Sequence, residues 1–403
     1  MRGSLERWVG VVKGVGVAGA VGIVFALAGC GDDESGSDEA SGGGAAKSGE
    51  EIKIGVEAGL TGASNQIGVP YVNGAKMAAE DLNAEADTLL DGGSVKLVTA
   101  DTETEAVPAV QAALKLVNVD KVDAIICSCY TLMMLPMSDA LKNRNTVIIS
   151  DATSSPVIRD MPGNILSTIG TDDVLGGKMA EWAYGLGHEK AALLYGNDTY
   201  GTTFRDAVTK AYTDAGGEIA VDLKVDLELS DYGPEMKRIV DSGAKAVLMG
   251  TYTDDARLQF RQLQQLGWDG EVYKLYPSAT ELDDDPRAND HLFGVDLAHN
   301  AGERAKSFNE RYEQEHGEAP SVWAAIGYDA AYLAALGVVN SPSDKADEVE
   351  QTIRDQAASY DGVTGTIEFD EDGVRTNPDV GYFKQMDGKL VTVDENGEPV
   401  PEG

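Results

Sequence analysis

Two doubly wound α/β lobes are the fold class that the sequence predicts, and three observations predict it. The chain has 403 residues, more than a single hydrophobic core ordinarily serves. Short continuous apolar runs, such as Ala124-Ile125-Ile126 and Val147-Ile148-Ile149, read as strands buried on both faces, as in parallel sheets. These runs alternate with amphipathic helical stripes, and the alternation occurs twice along the chain.

In chain order, Arg2, Arg7 and Lys13 precede an uncharged stretch from Gly14 to Gly29 that is rich in Val, Ala and Gly. This stretch is short for a spanning helix and suits a signal-peptide core. It ends in Leu27-Ala28-Gly29-Cys30, which resembles a bacterial lipobox. The resemblance implies removal of residues 1–29, diacylation of the Cys30 thiol, and a lipid anchor on the extracytoplasmic face of the cell membrane. Gly14-x-Gly16-x-x-Gly19 matches a dinucleotide fingerprint, but it follows no strand and is set aside. Residues 30–50 hold no large apolar side chain and read as an acidic flexible tether.

The folded part begins with a strand at Ile52–Val56. A helix follows on the spacing of Val72, Ala75, Met77, Ala79 and Leu82, then a strand at Val95–Ala100 and a helix through Val110, Ala113, Leu114 and Val117. The second run opens at Ala191–Tyr195, continues with a helix through Phe204, Val208 and Ala211, and resumes at Val247–Met249 with a helix through Leu258, Leu263 and Leu266. Trp323–Val339 is a long apolar helix. Two hairpins are expected after it, the first over Thr366–Asp370 with a turn at Asp372-Gly373, the second with a turn at Asp387-Gly388. Asp-Gly between strands favours the turn with two positive φ angles. Residues 394–403 are left as a tail.

The formal net charge is −36, which disfavours nucleic acid as a partner because phosphates are neutralised by Lys and Arg. Cys127 and Cys129 are one residue apart, and a bridge between them closes a small ring, so two free thiols are expected. There is no CxxC, HExxH or Cys/His cluster, so neither a metal site nor a cofactor is expected. Asp370-x-Asp372-Gly373 departs from the calcium-loop pattern at Val374. None of the histidines at 188, 291, 299 and 316 stands in a nucleophile-and-base arrangement, and the chain is not read as an enzyme.

Ile54-Gly55-Val56…Leu60-Thr61-Gly62…Gly74-Ala75…Asp81-Leu82-Asn83 resembles the opening of type I periplasmic binding proteins of the Leu/Ile/Val-binding class. Asn197-Asp198-x-Tyr200-Gly201 resembles the start of that family's second lobe, and Gly365-Thr366-Ile367-x-Phe369-Asp370-x-x-Gly373 its C-terminal hairpin. The resemblance spans about residues 51–393. It implies two lobes joined by three crossings: residues 51–171 with 295–376, and residues 172–294 with 377–393. The hinges fall near Gly170, Gly294 and Asn377. It further implies a monomer that closes on a small molecule, a branched-chain amino acid or a relative, and delivers it to the permease and ATPase of an ABC importer. A ligand-sensing receptor of the same fold, or a binder of an amide or organic acid, is the alternative.

Ligands of doubly wound sheets bind beyond the carboxyl ends of the strands. The first such loop is Cys127-Ser128-Cys129-Tyr130-Thr131, where Ser128 matches a family contact and Thr131 or Tyr130 is the alternative. In Ser150-Asp151-Ala152-Thr153, Thr153 matches a family threonine that touches both ends of the ligand. Asp151 and Ala152 share that loop. Tyr200 and Tyr252 match aromatic positions that cover the ligand. The family's amino-acid binders hold the ammonium with an acid where this chain has Ser278, in Tyr276-Pro277-Ser278-Ala279-Thr280-Glu281. Asp151 and Glu281 are therefore the acids expected to take that part, with Asp254 behind them.

Overall fold

The computed structural model describes residues 49–279, 288–298 and 302–400. Cys30, the expected signal segment and the expected tether up to residue 48 lie outside these residues. The described chain forms two sheets. The first contains β1 (Glu51–Ala58), β2 (Ser94–Asp101), β3 (Ala124–Cys127), β4 (Val147–Ser150) and β5 (Asn164–Ser167), in the order β2-β1-β3-β4-β5 and parallel throughout. The second contains β6 (Lys190–Gly196), β7 (Glu218–Val225), β8 (Ala246–Gly250), β9 (Glu271–Leu275), β10 (Leu292–Leu297), β11 (Val380–Met386) and β12 (Lys389–Val393), in the order β12-β11-β10-β9-β8-β6-β7. Its first five strands are parallel and the closing pair is antiparallel. The helices are α1 (Asn65–Ala84), α2 (Ala86–Leu89), α3 (Ala106–Lys115), α4 (Thr131–Leu141), α5 (Asp172–Gly185), α6 (Thr199–Asp214), α7 (Gly233–Ser242), α8 (Thr253–Gln265), α9 (Glu303–His316), α10 (Val322–Asn340) and α11 (Ala346–Ala357).

Every residue of β3 and β4 is buried, as unbroken apolar runs require of strands covered on both faces. The chain passes between the sheets three times: after β5, between Leu297 and Glu303, and before β11. The second passage differs from the expected hinge at Gly294. That glycine lies inside β10, paired with Lys274 of β9 and Phe383 of β11. An added Cβ there would lie 2.3 Å from the Lys274 carbonyl oxygen, so the residue is a close-packed strand position.

The first expected hairpin is not built as a pair of strands. Phe369 and Arg375 share one antiparallel bridge, and Val374 instead bridges to Ser167 at the end of β5. The backbone N–H of Arg375 donates to Ser167 O at 2.9 Å, so this segment is drawn to the edge of the first sheet. The second hairpin forms as β11 and β12, with φ of 53° at Asp387 and 77° at Gly388, the turn that Asp-Gly favours.

Helix α10 is apolar all round and packs against α1. The fit depends on two glycines. A Cβ at Gly74 would lie 1.8 Å from Ala324 O, and one at Gly327 would lie 2.1 Å from Tyr71 O. Within α10, Asp329 is 1% exposed. Its carboxylate accepts from Tyr360 Oη (2.7 Å), Val363 N (2.8 Å), and both Thr364 N and Thr364 Oγ1 (2.7 Å each). Arg375, also buried, donates to the carbonyl oxygens of Thr168, Thr364 and Thr366. These two side chains fasten the 360–375 segment to α10 and to the exit of β5.

Candidate functional site

The carboxyl ends of β3 and β4 in one lobe face those of β8 and β9 in the other, and a cavity of about 60 Å³ lies between them. One lobe contributes Ile67, Tyr130, Thr131, Ala152, Ser154 and Trp323 to its wall. The other contributes Tyr200, Thr251 to Thr253, and Lys274 to Tyr276. The lobes touch across it. The rings of Tyr130 and Tyr252 lie 5.2 Å apart, and the Ser155 and Thr203 hydroxyls are hydrogen-bonded at 2.9 Å.

Four predicted residues, Thr131, Ala152, Tyr200 and Tyr252, therefore line one cavity. Thr131 is the first residue of α4, and the cap residue Tyr130 makes no side-chain hydrogen bond to the helix. The first N–H groups of a helix have no intrahelical partner, and the helix dipole favours an anion there. Tyr252 is aimed by its hydroxyl, which donates to Asp198 Oδ2 at 2.7 Å. Asp198 in turn caps α6 through Gly201 N at 2.8 Å. Tyr200 stacks beside Tyr252, ring centres 5.5 Å apart.

The other predicted residues have different surroundings. Ser128 is buried outside the cavity wall, with its hydroxyl unpaired. Thr153 donates to Cys129 O at 2.8 Å and braces the β3 loop from behind. Asp151 receives the hydroxyls of Tyr71 and Thr168, one on each carboxylate oxygen. Burial pushes its carboxyl up to about 8 despite both hydrogen bonds. The side chain expected to meet a ligand's ammonium is thus held within its own lobe. Ser278 donates to Asp296 Oδ2 at 2.5 Å. Glu281 lies outside the described residues.

Cys127 and Cys129 form a disulfide, which corrects the expectation of free thiols. The chain turns sharply after β3, so the two Cα atoms are 5.2 Å apart, inside the range a bridge needs. The bridge stiffens the loop that carries Tyr130 and Thr131.

Sequence reasoning passed over three wall residues. Trp323 heads α10, packs on Tyr276 with ring centres 5.2 Å apart, and its indole N–H is buried without an acceptor. Tyr276 has φ of 55°, a conformation uncommon for a non-glycine residue and concentrated at functional sites. Lys274 is 4% exposed, and its ammonium donates to Thr251 O. Burial lowers its pKa to about 8, against the opposing effect of Asp255. Its signal was available: one charge in the apolar run Val272-Tyr273-Lys274-Leu275.

A family model described as periplasmic binding protein matches residues 51–389. The chain is a periplasmic binding protein. An amino acid binding protein of Pseudomonas aeruginosa is 28% identical to it over 220 residues, covering 54% of this chain and 58% of that protein. Leu/Ile/Val-binding protein homolog 3 of Brucella melitensis is 25% identical over 358 residues, covering 85% and 93%. Among solved structures, a leucine binding protein from Thermotoga maritima superposes with a TM-score of 0.77 at 23% identity, covering 85% of this chain and 98% of that one. The substrate binding protein of a branched-chain amino acid transporter from Streptococcus pneumoniae, in complex with isoleucine, gives 0.74 at 19% identity, covering 84% and 97%. These superpositions establish the shared two-lobed fold. The family binds and releases, and the chain is not an enzyme.

Proposed function

We propose that this periplasmic binding protein holds a small amino acid of the branched-chain class between its lobes and delivers it to the permease and ATPase of an ABC importer. The observation that carries the reading is the composition of the cavity wall. The uncapped start of α4 at Thr131 and the unpaired N–H of Trp323 suit a carboxylate, while Ile67, Ala152, Leu275 and the tyrosines suit a short apolar side chain. The names of the Pseudomonas and Brucella relatives agree with it. Closure about the three passages between the sheets, with hinges near Gly170 and Asn377, would bring the two walls together.

The test is thermal unfolding of residues 31–403 with L-leucine, L-isoleucine and L-valine, each beside its deaminated acid. Ligand at a hundredfold excess over Kd adds about 2.7 kcal/mol of stability, a rise of several degrees expected with at least one amino acid. A rise with the deaminated acids alone would replace this reading with an organic-acid binder, which the buried cation of Lys274 favours.

We further propose that Cys30 carries the lipid anchor, supported by the basic start, the apolar stretch and Leu27-Ala28-Gly29-Cys30. Several acyl chains hold a protein stably where one does not. Cys30→Ala is expected in the soluble fraction or as unprocessed precursor, without acyl mass. Wild type and variant whose intact masses differ only by the sulfur atom that separates Cys from Ala would exclude the anchor.

A further inference from the structure

Among the described residues, Lys274 is the one charged side chain in the cavity wall. It stands near the carboxyl end of β9, where Val272, Tyr273 and Leu275 are buried beside it. Its ammonium makes a single hydrogen bond, to Thr251 O, and no ion pair with any described residue. An ammonium offers three donors, so two are left over. Asp255 is the acid whose charge acts on it, but that carboxylate accepts from Glu228 N at 2.8 Å and from Tyr232 Oη instead. Bracing one carbonyl oxygen requires only a neutral donor. A full charge buried without a counter-ion is costly, and buried charges are ordinarily paired.

Two further features of the wall want the same kind of partner. The indole N–H of Trp323 is buried without an acceptor, and the start of α4 at Thr131 has no side-chain cap. Both belong to the first lobe, whereas Lys274 belongs to the second. The lobes meet close to these groups. Tyr276, two residues beyond Lys274, packs its ring on Trp323 at 5.2 Å, which sets the strand carrying the cation against the helix carrying the indole. No acid stands among the described wall residues to answer any of the three. Two unmet donors on one wall and an uncompensated cation on the other suit a single bound anion.

We propose that Lys274 is the counter-ion for the ligand's carboxylate, completing from the second lobe the donor set that Thr131 and Trp323 begin in the first. This rests on the amino-acid reading above only for the carboxylate. The two oxygens of a carboxylate accept about four hydrogen bonds, so one group can be shared across the cleft. A ligand group that engages both lobes favours the closed arrangement over the open one. An ion pair formed in a dry cleft is far stronger than one on the surface. Free acids would then be chosen over the same molecules with the carboxylate masked as an amide.

Calorimetry tests this with L-leucine, L-isoleucine and L-valine, their deaminated acids and their amides, on wild type, Lys274→Met and Lys274→Gln. Wild type is expected to prefer its best amino acid over the corresponding amide by at least about thirtyfold. Equal binding of the two overturns the proposal. Lys274→Met should lose at least about thirtyfold in affinity for that amino acid. Lys274→Gln keeps a donor for Thr251 O but no charge, and should lose as much. The unliganded melting temperature of both variants should equal or exceed that of wild type, because an unpaired buried charge is removed. If Lys274→Gln binds within threefold of wild type, Lys274 only braces Thr251, and the assignment falls while the amino-acid reading stands. If neither variant shows a folding transition, Lys274 is a structural residue and the proposal falls. Wild-type binding of the deaminated acids alone overturns the amino-acid reading, and the same losses measured on those acids then decide the role of Lys274. Absence of wild-type binding to amino acids and acids alike overturns both.

Discussion

Asp329→Ala is expected to destabilise the protein by about 3–5 kcal/mol, the usual cost of removing one member of a buried charged network. The substitution strands two backbone N–H groups and two hydroxyls at once, all inside the fold. Each buried donor left without an acceptor carries its own desolvation penalty. The loss should be local in origin and global in effect, because Val363 and Thr364 belong to the segment that Arg375 ties to the exit of β5. Chemical denaturation with two probes would read it. Asp329→Asn should recover part of the loss by keeping an acceptor on one side. If Asp329→Ala unfolds within 1 kcal/mol of wild type, the network does not hold the segment as described.

Gly74→Val should be nearly as damaging and should also weaken ligand binding. The new Cβ would fall 1.8 Å from the Ala324 carbonyl oxygen, and backbone cannot retreat as a flexible side chain does. Overpacking of this kind costs 1–3 kcal/mol and at times more, and the β-branch adds further atoms to the same gap. Relief requires α10 to move away from α1. Trp323 sits in the first turn of α10 and forms part of the cavity wall, so the displacement reaches the site. The expected result is a lower melting temperature together with at least a tenfold loss of amino-acid affinity. A variant that binds normally would show that the two are not mechanically joined.

Most of the fold was legible because the strands are short, apolar and buried on both faces. Such runs need no partner to be recognised. The segments that sequence reading left unassigned or assigned to the wrong partner are those whose identity depends on neighbours. Strand β7 has only two fully buried residues, so its pattern resembles an exposed segment. The 366–375 region carries a hairpin's turn residues, yet pairs instead with β5 because that sheet edge is open to it.

The site was half legible. The rule that ligands bind beyond the carboxyl ends of parallel strands pointed to the loops of Thr131 and Ala152, and the family resemblance pointed to Tyr200 and Tyr252; all four line the cavity. Trp323 follows from neither, because it lies in the first turn of a helix that reaches the cavity only through packing. The engagement of Asp151 within its own lobe was hidden from the sequence for a related reason. The partners that claim it, Tyr71 and Thr168, are 80 and 17 residues away in sequence.

The burial of Asp329 has a second consequence, during delivery rather than in the folded state. Helix α10 has 19 residues and is long and apolar enough, by length and composition alone, to span a bilayer. Proteins of this family act beyond the membrane, so the segment must traverse the export channel without lodging in lipid. A carboxylate near the middle of such a span adds about 2.5–3.5 kcal/mol to the cost of lateral entry into the bilayer. In an exported chain, the acid that anchors the C-terminal segment would therefore also oppose lodging of this helix in the bilayer. Replacing it with leucine would present that channel with a stop-transfer sequence.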